Sequence, residues 1–156
     1  MIIILICGID EAGRGPIIGP LVICGLMLKE EDEKHLVKIK VKDSKLLTAK
    51  KREYLFDKIK EISCKYEIII ISPEEIDKAV HGHDGLNLNR LEARKSAEMI
   101  NQLNPDKVII DTPSNNIEAY KKYLLKSIKN KKIDFVLEHK ADYNYPIVSA
   151  ASILAK

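Results

Sequence analysis

Two adjacent carboxylates, Asp10 and Glu11, stand at the end of an apolar run and constrain the fold more than any other feature of the chain. The run, 1–9, is rich in isoleucine and leucine, which is typical of a buried strand. Neighbouring carboxylates repel each other when buried, and proteins keep such groups ionised mainly by supplying a divalent cation. We therefore expect a core strand that brings acidic ligands to a metal site.

The segment that follows these carboxylates is rich in glycine and contains one arginine. Glycines allow the backbone to turn tightly and to approach a ligand closely, and Arg14 offers a permanently charged fork that suits a phosphate. Residues suited to a metal and to a phosphate thus lie side by side. The structural alternative for Gly13-Arg14-Gly15 is a tight hairpin turn.

Composition limits the classes of protein to which the chain can belong. The 156 residues fit one domain, and a formal charge of +3 is compatible with a polyanionic partner without indicating binding by charge alone. Three cysteines without a C-x-x-C pair argue against a disulfide framework and favour a reducing cytoplasm. The apolar start of the chain is too short to cross a bilayer, so we interpret it as a core strand and expect no membrane association.

Hydrophobic periodicity predicts an α/β protein in which strands alternate with helices. Strands are predicted over 1–9, 21–28, 66–71, 107–111 and 133–137, and helices over 49–62, from 73 onward, and over 88–103, 117–128 and 147–156. The link between the first two strands is so short that antiparallel pairing is expected. Thr48 and Ser72 are typical N-cap residues for the helices that follow them.

Further acidic residues follow predicted strands, where carboxylate oxygens can converge on hard divalent cations. Asp111 ends the strand 107–111, and Asp142 comes shortly after the strand that ends near Leu137. With Asp10 and Glu11 they could form a set of four at one edge of the sheet. Taken alone, Asp111 is more often a turn former or helix cap, and Asp142 could cap the helix that follows Pro146.

The chain resembles the type 2 ribonucleases H, in particular ribonuclease HII of archaeal type, in a series of blocks along its length. The matching blocks are 8–15 (GIDEAGRG), 41–45 (VKDSK), 86–92 (LNLNRLE), 109–111 (IID), 138–142 (EHKAD) and 145–156 (YPIVSAASILAK). The resemblance implies an α/β fold: a ribonuclease H-like mixed sheet with antiparallel first strands, flanked by helices.

The resemblance also implies a set of site residues. The catalytic metal ligands would be Asp10, Glu11, Asp111 and Asp142, holding two Mg²⁺ or Mn²⁺ ions. Gly13, Arg14 and Gly15 would sense the ribose and grip the phosphate at an RNA-to-DNA junction, and Lys45 would contact a backbone phosphate. Matching blocks also contain Asn87, Asn89, Ser149 and Ser152, for which capping and turn roles are the alternative. His139 could orient or protonate a neighbouring group, but we interpret it as a structural histidine.

The implied function is a metal-dependent endoribonuclease. It would cut the RNA strand of RNA–DNA hybrids and the 5′ side of ribonucleotides embedded in duplex DNA, leaving 5′-phosphate and 3′-hydroxyl ends. Two alternatives stay open. One is a non-catalytic nucleic-acid-binding fragment. The other is a type 1 or HIII enzyme with the same ribonuclease H-like sheet, although Gly13-Arg14-Gly15 favours HII. Family members usually continue past the last helix, so we expect 1–156 to be a single, monomeric catalytic domain lacking the family's carboxy-terminal helical region.

Overall fold

Five strands form one mixed sheet in the computed structural model, which describes residues 2–13, 19–41, 48–81 and 87–156. The strands are β1 (Leu5–Ala12), β2 (Leu21–Lys29), β3 (Lys65–Ile71), β4 (Lys107–Asp111) and β5 (Asp134–Glu138). They lie in the order β3-β2-β1-β4-β5. The pairs β1–β2 and β2–β3 are antiparallel, and β1–β4 and β4–β5 are parallel. This confirms the predicted mixed sheet with antiparallel first strands.

Helices pack on both faces of the sheet. They are α1 (Glu33–Lys38), α2 (Ala49–Ile62), α3 (Pro73–His81), α4 (Leu88–Leu103), α5 (Ile117–Lys126), α6 (Ala141–Asn144) and α7 (Pro146–Ala155), with a short 3-10 turn at Glu30–Asp32. None of the helices in the described ranges has the length and apolar content needed to cross a bilayer.

The sheet separates two hydrophobic cores, because successive side chains of a strand point to opposite faces. On one face, Cys7 and Ile9 of β1 pack with α3, α4 and α5. On the other face, Ile6 of β1 and Ile109 of β4 pack with α1, α2, α6 and α7. Asp10 is an even number of residues from Ile6 on β1, and Asp111 is an even number from Ile109 on β4, so each aspartate points to the same face as that isoleucine. Both carboxylates therefore lie on the α7 face.

Local sequence signals confirm several predicted boundaries. The bounds of α2, α4 and β4 are as predicted, and β2, β3, β5 and α7 begin or end one residue away. The N-caps are also confirmed, since Thr48 Oγ1 accepts from the Lys51 amide at 3.3 Å and Ser72 Oγ accepts from the Glu75 amide at 3.2 Å. Helix α5 was predicted to reach Ile128 but ends two residues earlier, at Lys126.

The predicted limits of the first strand were wrong. Strand β1 begins at Leu5, which pairs with Lys29, the last residue of β2. Ile2, which lies before the strand, is 89% exposed. At the other end, the antiparallel pairing continues beyond Ile9 to Ala12, opposite Val22. Asp10 consequently lies within the strand and not at its end. The apolar run did not reveal these limits, because they are set by the partner strand.

Helix α7 approaches β1 closely, and Gly8 makes this approach possible. A Cβ atom at Gly8 would lie 2.8 Å from the backbone carbonyl carbon and oxygen of Ile147. Real Cβ atoms do not come this close to backbone, so any larger residue would push the helix away from the strand. Because Asp10 lies two residues further along β1, the same displacement would change the packing of α7 next to Asp10.

We expect Gly8→Ala to lower the free energy of unfolding by about 1–3 kcal/mol, the usual cost of adding volume to a packed core. Urea unfolding followed by circular dichroism measures the change. Gly19→Ala is the matched control, since nothing lies within 4 Å of the Cβ position at Gly19. Equal stability of the two variants would contradict the close approach of α7 to β1.

Candidate metal centre

Two adjacent parallel strands bring Asp10 and Asp111 together. The register pairs Ile9 of β1 with Ile110 of β4, so Asp10 and Asp111 are the next residues along neighbouring strands and face the same side. Asp10 is 8% exposed and Asp111 is half-buried. Both lie near the carboxyl ends of their strands, where open α/β sheets commonly bind ligands.

The third carboxylate, Asp142, comes from the short helix α6 that follows β5. Lys140, which precedes this helix, adopts a left-handed backbone conformation with φ of 56°. This turn directs the amide of Lys140 to Asp111 Oδ1 at 3.2 Å. One carboxylate oxygen each from Asp10, Asp111 and Asp142 lies within 4.8 Å of the others. Such a group of oxygens is suited to a hard divalent cation.

Burial and mutual repulsion raise the pKa values of two members of the group. Burial, followed by the charges of Asp111 and Asp142, raises the pKa of Asp10 from 3.8 to about 7. Burial, followed by the charge of Asp142 and a side-chain hydrogen bond with it, raises the pKa of Asp111 from 3.8 to about 6. A divalent cation would oppose both effects, so the electrostatics favour the bound state of the site.

Hydrogen-bond donors partly offset this repulsion. The backbone amide of Glu11 donates to Asp10 Oδ1 at 2.8 Å, and hydrogen bonding by this amide and by the side chain of Ser152 in α7 partly offsets the rise in the pKa of Asp10. The backbone amide of Lys140 donates to Asp111 Oδ1, and hydrogen bonding by this amide and by the backbone of Asp142 partly offsets the rise in the pKa of Asp111. Donors of this kind favour the ionised form of a carboxylate. They also fix the direction of its oxygens.

The structure places Glu11 differently from the other three predicted ligands. Among the described residues, the group of carboxylates close enough to share an ion has three members and does not include Glu11. Glu11 follows Asp10 directly along β1, so its Cβ points to the opposite face of the sheet. Its role as a metal ligand stays a prediction.

The predicted substrate-binding residues are only partly covered by the structure. Arg14, Gly15 and Lys45 lie outside the described residues. Gly13 is described: it is exposed and has a φ of +93°, a conformation that L side chains rarely adopt. A Cβ there would also overlap the carbonyl oxygen of Pro20. The predicted need for glycine at this turn is confirmed, whereas contact with a ribose stays a prediction.

The remaining polar residues of the matching blocks have mixed roles. Asn87 Oδ1 caps α4 by accepting from the Arg90 amide at 2.9 Å. His139 Nδ1 lies 3.2 Å from the carbonyl oxygen of Thr112, in keeping with a structural histidine. Asp142 does not cap α7, whose N-cap is Tyr145. The sequence pattern did not reveal that Ser152, in α7, influences the pKa of Asp10.

Comparison with known proteins identifies the family. The model of the family described as Ribonuclease HII matches residues 7–156. The chain belongs to the ribonuclease HII family. Ribonuclease HII of Methanococcus maripaludis strain C7 is 42% identical over 156 residues, covering 97% of this chain and 64% of its own length. That of Methanocella arvoryzae is 46% identical over 156 residues, covering 97% of this chain and 66% of its own.

A solved structure extends the similarity to three dimensions. The crystal structure of the ribonuclease H2 from Pyrococcus horikoshii OT3 is similar with a TM-score of 0.86 and 39% identity, over 97% of this chain and 70% of that one. The resemblance drawn from the sequence blocks is thereby confirmed, and so is the ribonuclease H-like fold. The chain spans 64–66% of the length of the two ribonuclease HII relatives named above.

The raised pKa of Asp10 predicts how the stability of the metal-free protein depends on pH. A carboxyl whose folded pKa exceeds its unfolded value stabilises the fold fully only below the unfolded pKa, about 3.9, and this contribution is lost as pH rises through the folded pKa, about 7. Asp10→Asn removes the charge. We expect the variant to equal the wild type near about pH 4 and to exceed it by roughly 1–3 kcal/mol near about pH 8.

Urea unfolding in EDTA across this pH range measures the difference between variant and wild type. Asp57→Asn, at an exposed position of α2, is the control and should show no such trend. Saturating Mg²⁺ should stabilise only the wild type, so that the wild type becomes more stable than Asp10→Asn. A difference in stability that does not change with pH would contradict the raised pKa of Asp10.

Proposed function

We propose that the chain acts as the catalytic domain of a metal-dependent endoribonuclease. Its substrates would be RNA–DNA hybrids, cut in the RNA strand, and duplex DNA with embedded ribonucleotides, cut on their 5′ side. The products would carry 5′-phosphate and 3′-hydroxyl ends. The observation that carries the proposal is the convergence of Asp10, Asp111 and Asp142 in a chain of the ribonuclease HII family.

The chemistry of the donor set fits divalent ions. Three carboxylates supply hard oxygen ligands. The raised pKa values of Asp10 and Asp111 indicate a local excess of negative charge that a cation would balance. When bound, two Mg²⁺ or Mn²⁺ ions would activate a water at neutral pH and stabilise the departing 3′-oxygen. The number and identity of the ions belong to this proposal.

The protein's own residues would position the ions by fixing the spacing of the carboxylate ligands. Asp10 and Asp111 hold their carboxylates on adjacent strands, and Asp142 closes the group from α6. Glu11 would complete the set from the neighbouring position on β1. Because strands and their register resist deformation, the distances between these ligands stay fixed while a substrate binds.

Recognition of the ribose would occur at the glycine turn after β1. Discrimination of RNA from DNA at one position requires contact with the 2′-hydroxyl, which backbone amides and carbonyls can make at short range. The positive φ of Gly13, three residues after Asp10, supports a tight turn with no side chain at that position. Arg14 and Gly15 would complete this element, with Arg14 on the phosphate. Lys45 would add a contact to a backbone phosphate.

The proposal includes a cellular compartment and an oligomeric state. Cys7, Cys24 and Cys64 are free, and burial raises the pKa of the first two thiols, in keeping with a reducing cytoplasm. We expect the chain to act as a monomer on a nucleic-acid duplex. A monomer suffices because the three clustered carboxylates come from one chain.

Removal of one ligand should abolish cleavage while the fold persists. We expect Asp10→Asn and Asp111→Asn to reduce cleavage by more than about 100-fold, since outer-sphere partners of a metal already cost roughly 10–100-fold. The assay is the rate of cleavage of a labelled duplex with a single ribonucleotide in the presence of Mn²⁺. Asp57→Asn should cleave as fast as the wild type.

The same assay separates the catalytic proposal from its alternative. Cleavage by the wild type that depends on Mn²⁺ and disappears in EDTA supports the enzyme. Duplex binding without cleavage at any Mn²⁺ concentration would instead indicate a nucleic-acid-binding module. Full activity of Asp10→Asn would remove the proposed metal ligand, and equal cleavage of an all-DNA duplex would refute recognition of the ribose.

A further inference from the structure

The positive charge of the chain is concentrated in one segment. Residues 119–133 contain six lysines and no aspartate or glutamate. The whole chain has a formal net charge of +3, so the remaining residues together carry an excess of negative charge. The segment covers most of α5 and the loop that leads to β5. Helix α5 packs on the face of the sheet opposite the α7 face, to which Asp10 and Asp111 point.

Three of these lysines line the exposed side of α5 and its end. Lys122 and Lys126 are four positions apart and therefore lie one helical turn from each other on the same side. Lys129 follows just after the helix ends, and all three residues are exposed. Lys131 has a different role, because its Nζ donates to the carbonyl oxygen of Leu125 at 2.8 Å and so satisfies the end of the helix.

Helix α4 adds two arginines beside these lysines. Arg90 and Arg94 are one turn apart on α4, and both are exposed. The guanidinium of Arg90 lies 5.4 Å from the ring centre of Tyr123 in α5, and the ammonium of Lys126 lies 5.9 Å from the same ring centre. Cations are attracted to aromatic rings at such distances. Tyr123 therefore holds one cation from each helix on the same surface.

An asparagine fixes the turn after α5 against α4. Asn101 Nδ2 donates to the carbonyl oxygen of Ser127 at 2.8 Å, and Asn101 Oδ1 accepts from the amide of Lys129 at 3.0 Å. Asn101 and Arg90 are about three helical turns apart on the same side of α4. This side thus contacts Tyr123 near its start and the turn after α5 near its end. The two helices form one basic surface, the α4–α5 surface, which comprises Arg90, Arg94, Lys122, Lys126 and Lys129.

The cations of the α4–α5 surface are not neutralised by carboxylates in contact with them. In the part of the chain that the structure describes, the ion pairs formed by lysines are Lys58–Glu61 and Lys95–Glu75, and neither belongs to this surface. Glu118, the acidic residue of α5, lies in the first turn, where the helix dipole favours a negative charge. The five cations therefore remain available to a polyanion.

Helix α2 shows how a lysine-rich helix of this chain looks when it only faces solvent. It also has five basic residues, but Glu53, Asp57 and Glu61 are interspersed with them. One of its lysines forms an ion pair three positions along the helix. Interspersed charges of both signs are typical of a solvated helix face. The α4–α5 surface lacks this alternation, since its members all carry the same sign.

We propose that the α4–α5 surface binds the phosphate backbone of a nucleic-acid duplex, at a place separate from the acidic group. This proposal rests on the proposed function, which supplies the duplex. The clustered carboxylates of Asp10, Asp111 and Asp142 repel phosphates in the absence of cations, so that retention of a duplex needs positive charge elsewhere. Backbone contacts do not read the sequence. The surface would therefore bind an all-DNA duplex as well as a hybrid.

The test compares triple variants that change the same number of exposed lysines. The first variant removes charge from the α4–α5 surface by Lys122→Gln, Lys126→Gln and Lys129→Gln. The matched control removes it from α1 and α2, on the other face of the sheet, by Lys34→Gln, Lys38→Gln and Lys60→Gln. A third variant keeps the charge of the surface by Lys122→Arg, Lys126→Arg and Lys129→Arg. Binding of a labelled all-DNA duplex is measured by fluorescence anisotropy in EDTA at several salt concentrations.

We expect the glutamine variant of the surface to bind more weakly at low salt and to lower the slope of log affinity against log salt by about 2–3, because each lost phosphate contact removes about 0.9. The control should lower this slope by less than about 1, and the arginine variant should keep the wild-type slope. With a duplex that contains a single ribonucleotide and with Mn²⁺ present, the KM of the glutamine variant should rise while kcat changes much less.

Several results would overturn the proposal. A wild-type slope in the glutamine variant would leave the surface as a solvated face or as a site for another partner, such as an acidic protein. An equal loss in the control would show that net charge, and not this surface, attracts the duplex. Failure of the proposed function looks different, because the wild type would then bind the all-DNA duplex through this surface but would not cleave the duplex that contains a ribonucleotide.

Discussion

Three carboxylate oxygens held within 4.8 Å of one another repel, and the surrounding elements have to hold them there. Burial, and after it this repulsion, raises the pKa values of Asp10 and Asp111. Such an arrangement destabilises the metal-free fold, because Asp10 and Asp111 would ionise more readily in the unfolded chain. Under the proposed function, a bound divalent cation would offset this local loss of stability.

The rest of the fold provides the rigidity that this arrangement needs. The sheet is covered by helices on both faces, so the strands that carry Asp10 and Asp111 are held by two cores. Parallel pairing of β1 and β4 sets the spacing of these residues. The amides of Glu11 and Lys140 then direct single oxygens. Packing determines where the ligands lie, and hydrogen bonds determine where their oxygens point.

Much of the secondary structure could be predicted because its signals are local. Helices α2 and α4 have apolar residues on one face and a side-chain N-cap at Thr48 or Asn87, and both helices have the predicted bounds. The predictions were wrong where the signal is not local. Strand β1 continues to Ala12 because β2 pairs with it, and the short helices α1 and α6 were not predicted. A helix of one or two turns has too few residues for a periodicity to show.

The sequence by itself determined the kinds of residue at the site and the elements that carry them. It also pointed to Asp10, Asp111 and Asp142, because each belongs to a block that follows or lies in a strand. Only the tertiary structure decided that these three converge, while the Cβ of Glu11 points to the opposite face of the sheet. The reason is physical: strand register and the contact between Gly8 and Ile147 join residues far apart in the chain. No local pattern encodes such pairings.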